Sequence, residues 1–413
     1  MNNTPRPNLR TLDEARAELL SFAEPLGDPQ DVSTFDADGR VLAQDVVSPL
    51  QVPPADNSAM DGYAVRVADV PAPGARLPVS QRIAAGAAGQ PLAVGTAARI
   101  FTGAPVPEGA DAVVMQEEVD ASTEGDATFA TFRSVPTVGL AIRRSGEDVT
   151  RGAVVLRAGE RLGPAALGLA AGVGQASLRV ARAPRVALFS TGDELVMPGD
   201  VAPEAMRPGA IYNSNRFFLR ALLARLGCEV QDLGVVPDDF DTTVRVLRDA
   251  SAQCDLILTS GGVSVGEEDH IKPAVESLGL LRLWQISMKP GKPFAYGRVG
   301  PAHFIGLPGN PVSSFATFVL LVRPFLLRLQ GATQFEPRAL TLPAHFDWPR
   351  ADKRREFLRA RIDDTGGLVL YPNQGSGVLT SVAWAEGLVD IPAGTPVKQG
   401  DAVRFLPFDG LTG

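Results

Sequence analysis

The chain has 413 residues, 45% hydrophobic and 21% charged, a balance that fits a globular protein with several cores and excludes a disordered chain. A net charge of −8 and a pI of about 5.1 exclude the broadly basic surface that binds nucleic acid, so an anionic ligand has to be met by locally gathered positive charge. Two cysteines, Cys228 and Cys254, cannot build a disulfide framework or a four-cysteine zinc site, which points to a reducing, cytoplasmic setting.

The opening "MNNTPRPNLR" lacks the apolar core of a secretory leader. "TLDEARAELLSFAEPLG" follows with helical spacing of its apolar residues and Gly27 beyond its end. A short strand, "GRVLAQDVV", leads through Pro53-Pro54 into "NSAMDGYAV", which is neither a clean strand nor a helix and carries the single carboxylate Asp61. From about 65 to 138, short apolar runs such as "ARIFTG" and "DAVVMQ" are punctuated by Gly and Pro, the pattern of a small β-rich domain. "LGPAALGLAAGVG" reads as a small-residue helix near 163–172 that returns to pack with the N-terminal helix, giving a discontinuous domain.

From 184 the pattern changes. "RVALFS" is a continuous apolar run, as in a strand covered on both faces. The helix "NSNRFFLRALLARLG" has Asn213 or Ser214 to cap its start and Gly227 to end it. Strands "EVQDLGVV", "DLILTS" and "HFIGL" then alternate with helices, with a strand pair around "LRLWQIS" and "FAYGRV", which predicts a mostly parallel sheet with helices on both faces. The apolar stretch "FATFVLLVRPFLLRL", interrupted by Arg323 and Pro324, reads as a buried helix too short to span a bilayer. After about 333, short strands and turn signals predict a small barrel or sandwich.

Ligands of open α/β sheets bind beyond the carboxyl ends of the strands. There this chain places "STGDEL", "VPDD", "SGGVSVGEED", "KPGKP" and "LPGNPVSS". Each alone reads as a turn; five on one edge point to a site. "SGGVSVG" suits an oxyanion, with glycines that let backbone N–H groups approach and Ser264 as a hydroxyl donor. It matches neither the dinucleotide fingerprint nor the P-loop. The chain has only five lysines, and two of them, Lys289 and Lys292, share one short stretch, as compact charges for an anion or as a solvated pair. Asp61, Asp148, Asp193, Glu194, Asp238, Asp239 and Asp269 lie in predicted loops, where they serve either as oxygen ligands for a hard cation such as Mg²⁺ or as turn formers and helix caps. His270, His303 and His345 are scattered, which argues against a zinc enzyme and a Ser-His-Asp hydrolase.

The order of "NSAMDGYAV", "FTGAPVPEGADAVV", "RRSGEDV", "STGDEL", "TSGGVSVGEED", "MKPGKP", "GLPGNPVSS", "RREFLRAR" and "GSGVLTSVAWAEGL" resembles that of the molybdopterin molybdenumtransferases, the bacterial MoeA proteins related to the gephyrin E domain. The resemblance covers essentially the whole chain. It implies a multidomain α/β plus β protein. Residues 1–57 and 139–183 would form a discontinuous dimerisation domain, 58–138 a small β-rich domain, 184–332 a MogA-like, doubly wound, molybdopterin-binding α/β domain, and 333–413 a C-terminal β-barrel. It implies insertion of molybdate into adenylylated molybdopterin, with Mg²⁺-dependent release of AMP, by a cytoplasmic homodimer whose site is shared between subunits. The molybdopterin adenylyltransferase and molybdoenzymes or their chaperones are implied as further partners, and nucleic acid and membrane are not.

Carried over by motif, the acidic and polar catalytic positions are Asp61, Thr102, Asp148, Glu194, Asp238 and Asp269, with Asp61 and Glu194 toward the metal. The substrate positions are Gly261, Gly262, Ser264, Lys289, Lys292, Pro308, Asn310, Pro311, Arg354 and Ser376; of these, Ser264, Lys289 and Arg354, together with Asp269, are those associated with molybdate. Two departures stand out: Gln285 where many relatives carry lysine, and His270 where an aromatic residue is usual. A MogA-type adenylyltransferase and a non-catalytic pterin-binding scaffold are the competing readings. The segments flanking the α/β domain argue against the first, and the retained carboxylates against the second.

Overall fold

The computed structural model describes residues 9–262 and 270–412. Its centre is a seven-stranded sheet whose strand order is Leu9–Arg10, Gly279–Ile286, Pro293–Val299, Ala302–Leu307, Leu256–Ser260, Arg185–Thr191 and Glu229–Val236. All neighbours are parallel except at Pro293–Val299, which runs against both of its partners. Alternate residues explain the continuous apolar runs. Val186 and Leu188 face one core together with the helices Asn215–Arg225 and Pro311–Leu329, while Ala187 and Phe189 face a second core with the helices Phe240–Gln253 and Ile271–Leu278. Each fully buried Leu or Phe contributes about 1.5–3 kcal/mol.

The helix Asn215–Arg225 starts where Asn213 Oδ1 accepts from the Arg216 N–H, at 3.2 Å, so Asn213 rather than Ser214 supplies the cap. The apolar helix is longer than its apolar core suggested. It runs 19 residues from Pro311 to Leu329, enough by length and composition to cross a membrane, but 94% of the apolar window is buried inside the protein. Pro324 does not break it, because the turn before it, Phe318–Val322, widens to a π-helix that accommodates the proline ring.

Residues 62–132 build a separate six-stranded sheet with its own small cores. Five strands between Leu340 and Pro407 form the C-terminal sheet, which closes on itself through the bridge Ala344–Leu368 and the His345 N–H on the Leu368 carbonyl, as a barrel must. The N-terminal helix, Leu12–Ser21, departs from its expected place. Its Leu12, Ala15 and Leu19 are buried in the α/β core, and Leu9–Arg10 adds a strand to that sheet. The helix Pro164–Gly172 packs elsewhere, in the cluster of Ala37, Leu42 and Val180. Periodicity identified both helices but not their partners, because a stripe of Leu and Ala fits many surfaces.

Candidate functional site

The carboxyl edge of the central sheet gathers the loops that follow Thr191, Val236, Ser260 and Leu307, together with the segment between Ile286 and Pro293. At its middle, Gly261 and Gly262 turn with φ of +98° and +67°. A Cβ on Gly261 would stand 2.9 Å from the Thr191 carbonyl, and one on Gly262 would stand 2.6 Å from Ile271 Cγ1, so only glycine fits this turn. Ser264 and Asp269, further along the same loop, lie outside the described residues.

The next loop is tied to this turn. Gly261 N–H donates to the Leu307 carbonyl at 3.0 Å, and Asn215 Nδ2 donates to both Ser260 Oγ and the Gly309 carbonyl at 2.7 Å. Pro308 is buried, while Asn310 is exposed and starts the helix at Pro311. The Val312 N–H, in the first helical turn, donates to the Ser376 carbonyl at 3.0 Å, which brings the C-terminal segment onto the edge. Arg359 supports that segment from below: it is 1% exposed, and its guanidinium donates to Ser381 Oγ and to the carbonyls of Phe357 and Gly375.

The lysine stretch crosses a domain boundary. Met288–Lys289 pairs in parallel with Arg355–Glu356 and so forms an edge strand of the C-terminal sheet. Lys289 Nζ lies 3.0 Å from Glu356 Oε1 and 3.6 Å from Asp352 Oδ2. Glu356 is 1% exposed; its Oε2 accepts from Trp348 Nε1 at 2.8 Å, while its Oε1 accepts no hydrogen bond from a described residue and meets Lys289 as a charge. Arg354 is not free, because its side chain is bound to Asp352. Lys292 is exposed. Between the two lysines, Gly291 seats the loop on the buried helix beside Thr317.

The carboxylates divide into separate groups. Asp61 Oδ1 accepts from both the backbone N–H and the hydroxyl of Thr102, at 2.8 and 2.7 Å, so these two predicted residues do meet. The Thr102 N–H and then its hydroxyl hold the Asp61 carboxyl below its usual range. Asp148, Glu194 and Asp238 are exposed loop residues. Asp239 is the helix cap that the alternative reading named, accepting from the Thr242 N–H at 2.8 Å. Among the described residues, no hydrogen bond, ion pair or ring contact joins residues 58–138 to residues 184–332. Sequence reasoning missed Asn215, Asp352, Glu356 and Arg359. The signals were present: Asp352 stands two residues before Arg354, and Glu356 is the one acid in the strand "REFLRARI".

Three family models cover this chain: the MoeA N-terminal region (domain I and II) over residues 10–174, a probable molybdopterin binding domain over 187–328 and the MoeA C-terminal region (domain IV) over 341–408. A molybdopterin molybdenumtransferase of Haemophilus influenzae is 38% identical over 98% of this chain and all of its own length. The chain belongs to the molybdopterin molybdenumtransferase (MoeA) family. A molybdopterin molybdenumtransferase 2 of Mycobacterium tuberculosis is 40% identical over 93% of this chain and 97% of its own. Among solved structures, a molybdopterin biosynthesis moeA protein from Pyrococcus horikoshii matches with a TM-score of 0.83 and 30% identity, covering 97% of this chain and 100% of that one. The α/β fold with its flanking sheets is thus the MoeA architecture, and MoeA proteins of this family are transferases.

Proposed function

We propose that this chain inserts molybdate into adenylylated molybdopterin, cleaving the pyrophosphate link in a Mg²⁺-dependent step and releasing AMP and molybdenum cofactor in the cytoplasm. The observation that carries the reading is the gathering, on one sheet edge, of the Gly261–Gly262 turn, the Pro308–Pro311 loop, the Ser376 segment and the Lys289–Arg354 cations. Backbone N–H groups and cations suit phosphate and molybdate oxygens. Lys289, Lys292 and Arg354 are assigned to anionic oxygens, and Asn310 and Ser376 to orientation of the pterin substrate.

The metal is assigned to Asp61 and Glu194. Their chemistry fits Mg²⁺: Thr102 engages only Oδ1 of Asp61, leaving Oδ2 open, and the exposed Glu194 carboxylate accepts no hydrogen bond from a described residue. Among the described residues no three His, Cys, Asp or Glu side chains cluster closely enough to hold a metal. Magnesium commonly takes one or two protein carboxylates and completes its shell with substrate phosphates and water. When bound, it would neutralise charge at the pyrophosphate link.

The protein acts as a homodimer with a site built from both chains. Two observations support this. Among the described residues, no side-chain hydrogen bond or ion pair joins Asp61 or Thr102 to the α/β domain, and the N-terminal domain exposes an apolar groove of about 720 Å³ formed by Phe35, Leu167, Gly168 and Ala171, with Phe35 96% exposed. A second copy covering this groove satisfies a closed two-fold dimer.

The test is anaerobic incubation with adenylylated molybdopterin, molybdate and Mg²⁺, following AMP with time. Asp61→Asn and Glu194→Gln should each lower the rate on the order of 100-fold while leaving the fold intact. Mixed under conditions of subunit exchange, the two variants should recover about a quarter of wild-type activity, because one site of a mixed dimer escapes both substitutions. Wild-type AMP release by both variants would overturn the catalytic assignment. A mixture as inactive as its parents, despite demonstrated exchange, would confine Asp61 to its own chain.

A further inference from the structure

The two cations assigned to the oxyanion meet on one acidic side chain. Asp352 Oδ1 accepts from the Arg354 backbone N–H at 3.0 Å and from Arg354 Nε at 3.1 Å, and Oδ2 accepts from Arg354 Nη2 at 3.1 Å. The same Oδ2 lies 3.6 Å from Lys289 Nζ. All three side chains are open to solvent, at 25% for Asp352, 31% for Arg354 and 44% for Lys289. Hydrogen bonds from Arg354, above all from its side chain, hold the Asp352 carboxyl at about 2, so it is charged across the working range.

Glu356, the other acid on Lys289, is of a different kind. It is buried, pinned by Trp348 and paired in strand register with the lysine, so it is a fixed support. Asp352 is reachable and offers the cations two charged oxygens, as a molybdate ion does. We propose that Asp352 is a specificity-determining counter-anion that occupies the cations Lys289 and Arg354 until a tetrahedral dianion displaces it, thereby setting the oxyanion concentration at which the site loads. The proposal rests on the assignment of Lys289 and Arg354 to the oxyanion. A monoanion gains less from the same cations and displaces the carboxylate less readily, so the contact also discriminates by charge.

The test uses the full-length protein with molybdate alone, measured by equilibrium dialysis, and then the half-saturating molybdate concentration in AMP release. Asp352→Asn keeps an acceptor for the Arg354 N–H and removes only the charge. It should bind molybdate more tightly by up to about fivefold, the range expected for releasing a partly exposed ion pair. In turnover the change should fall on the half-saturating molybdate concentration rather than on the maximal rate, and Asp352→Glu should restore wild-type behaviour. Lys289→Ala and Arg354→Ala should both weaken binding. If they do and Asp352→Asn binds no more tightly than wild type, the counter-anion is overturned while the oxyanion assignment stands. If both cation variants bind molybdate as wild type does, the assignment falls and the counter-anion with it.

Discussion

Replacing Gly291 with alanine tests how the lysine stretch is held. Gly291 has φ of +111°, and a Cβ there would stand 2.6 Å from Thr317 Oγ1 and 3.2 Å from Met288 Cε. Thr317 is fully buried and, among the described residues, its hydroxyl has no hydrogen-bond partner, so it is held by packing within the Pro311–Leu329 helix. The backbone conformation costs about 1–3 kcal/mol for a residue with a side chain. Overpacking against Thr317 costs about 1–3 kcal/mol more. A total of about 2–6 kcal/mol is large against typical stabilities of about 5–15 kcal/mol. The strain is most cheaply relieved by lifting the loop, which displaces Lys289 and, on the proposed oxyanion assignment, should raise the half-saturating molybdate concentration.

A double-mutant cycle separates the two costs. Thr317→Ala alone removes a methyl and an unbonded hydroxyl, at about 1 kcal/mol. Combined with Gly291→Ala it should recover about 1–3 kcal/mol, the overpacking part, and leave the backbone part. Urea midpoints of the four proteins supply the numbers. Additivity within about 0.5 kcal/mol, or wild-type stability of Gly291→Ala, would refute the packing argument.

Acid should weaken the α/β domain through His303. Its Nδ1 is hydrogen-bonded to the Tyr296 hydroxyl at 2.9 Å, and burial, reinforced by the Arg298 charge, pushes its pKa down to about 4. The unfolded chain then takes up more protons than the folded one between about pH 6.5 and 4, so stability falls as pH falls through that window, by about 2 kcal/mol from pH 8 to 5. His303→Gln should flatten the urea midpoint against pH over this range, and an unchanged slope would exclude His303 as the cause. On the proposed dimer, Phe35→Glu should give a monomer on gel filtration with little change in subunit stability, since the ring is 96% exposed; a dimer that persists at the wild-type concentration dependence would place the interface elsewhere, and a monomeric wild type would remove the proposed dimer.

The loops of the candidate site, which the structure brings to one sheet edge, were legible in the sequence because each carries its own chemistry. Glycines at the Gly261–Gly262 turn, prolines around Asn310 and paired lysines need no partner to be noticed. The cover on both faces of the sheet followed from continuous apolar runs such as "RVALFS", whereas the order of its strands did not. What could not be read was pairing at a distance. Leu9–Arg10 and Met288–Lys289 are two-residue strands, too short to show a period of two, and their neighbours lie far along the chain. The partners of Lys289 and Arg354 were hidden for the same reason: an ion pair leaves no periodic trace, and acidic loop residues are common. Small-residue helices misled in the opposite sense, since Pro164–Gly172 is apolar all round and its sequence does not say which face turns inward.

The short strand at Met288–Lys289 has a consequence for where the molecule can be divided. By composition the α/β unit ends near Leu329, and its family model ends at 328. Yet its lysine stretch completes the neighbouring barrel's sheet, and the barrel's Asp352 and Glu356 complete the lysine's surroundings. A fragment cut at this seam would carry an unpaired strand edge, an invitation to aggregate, and a lysine stripped of both acids. A barrel transplanted from a relative would have to reproduce the register Met288–Arg355 and Lys289–Glu356 before the lysine could stand where it stands here. The seam is stitched through the candidate site, so the two domains can be exchanged or redesigned only as one piece.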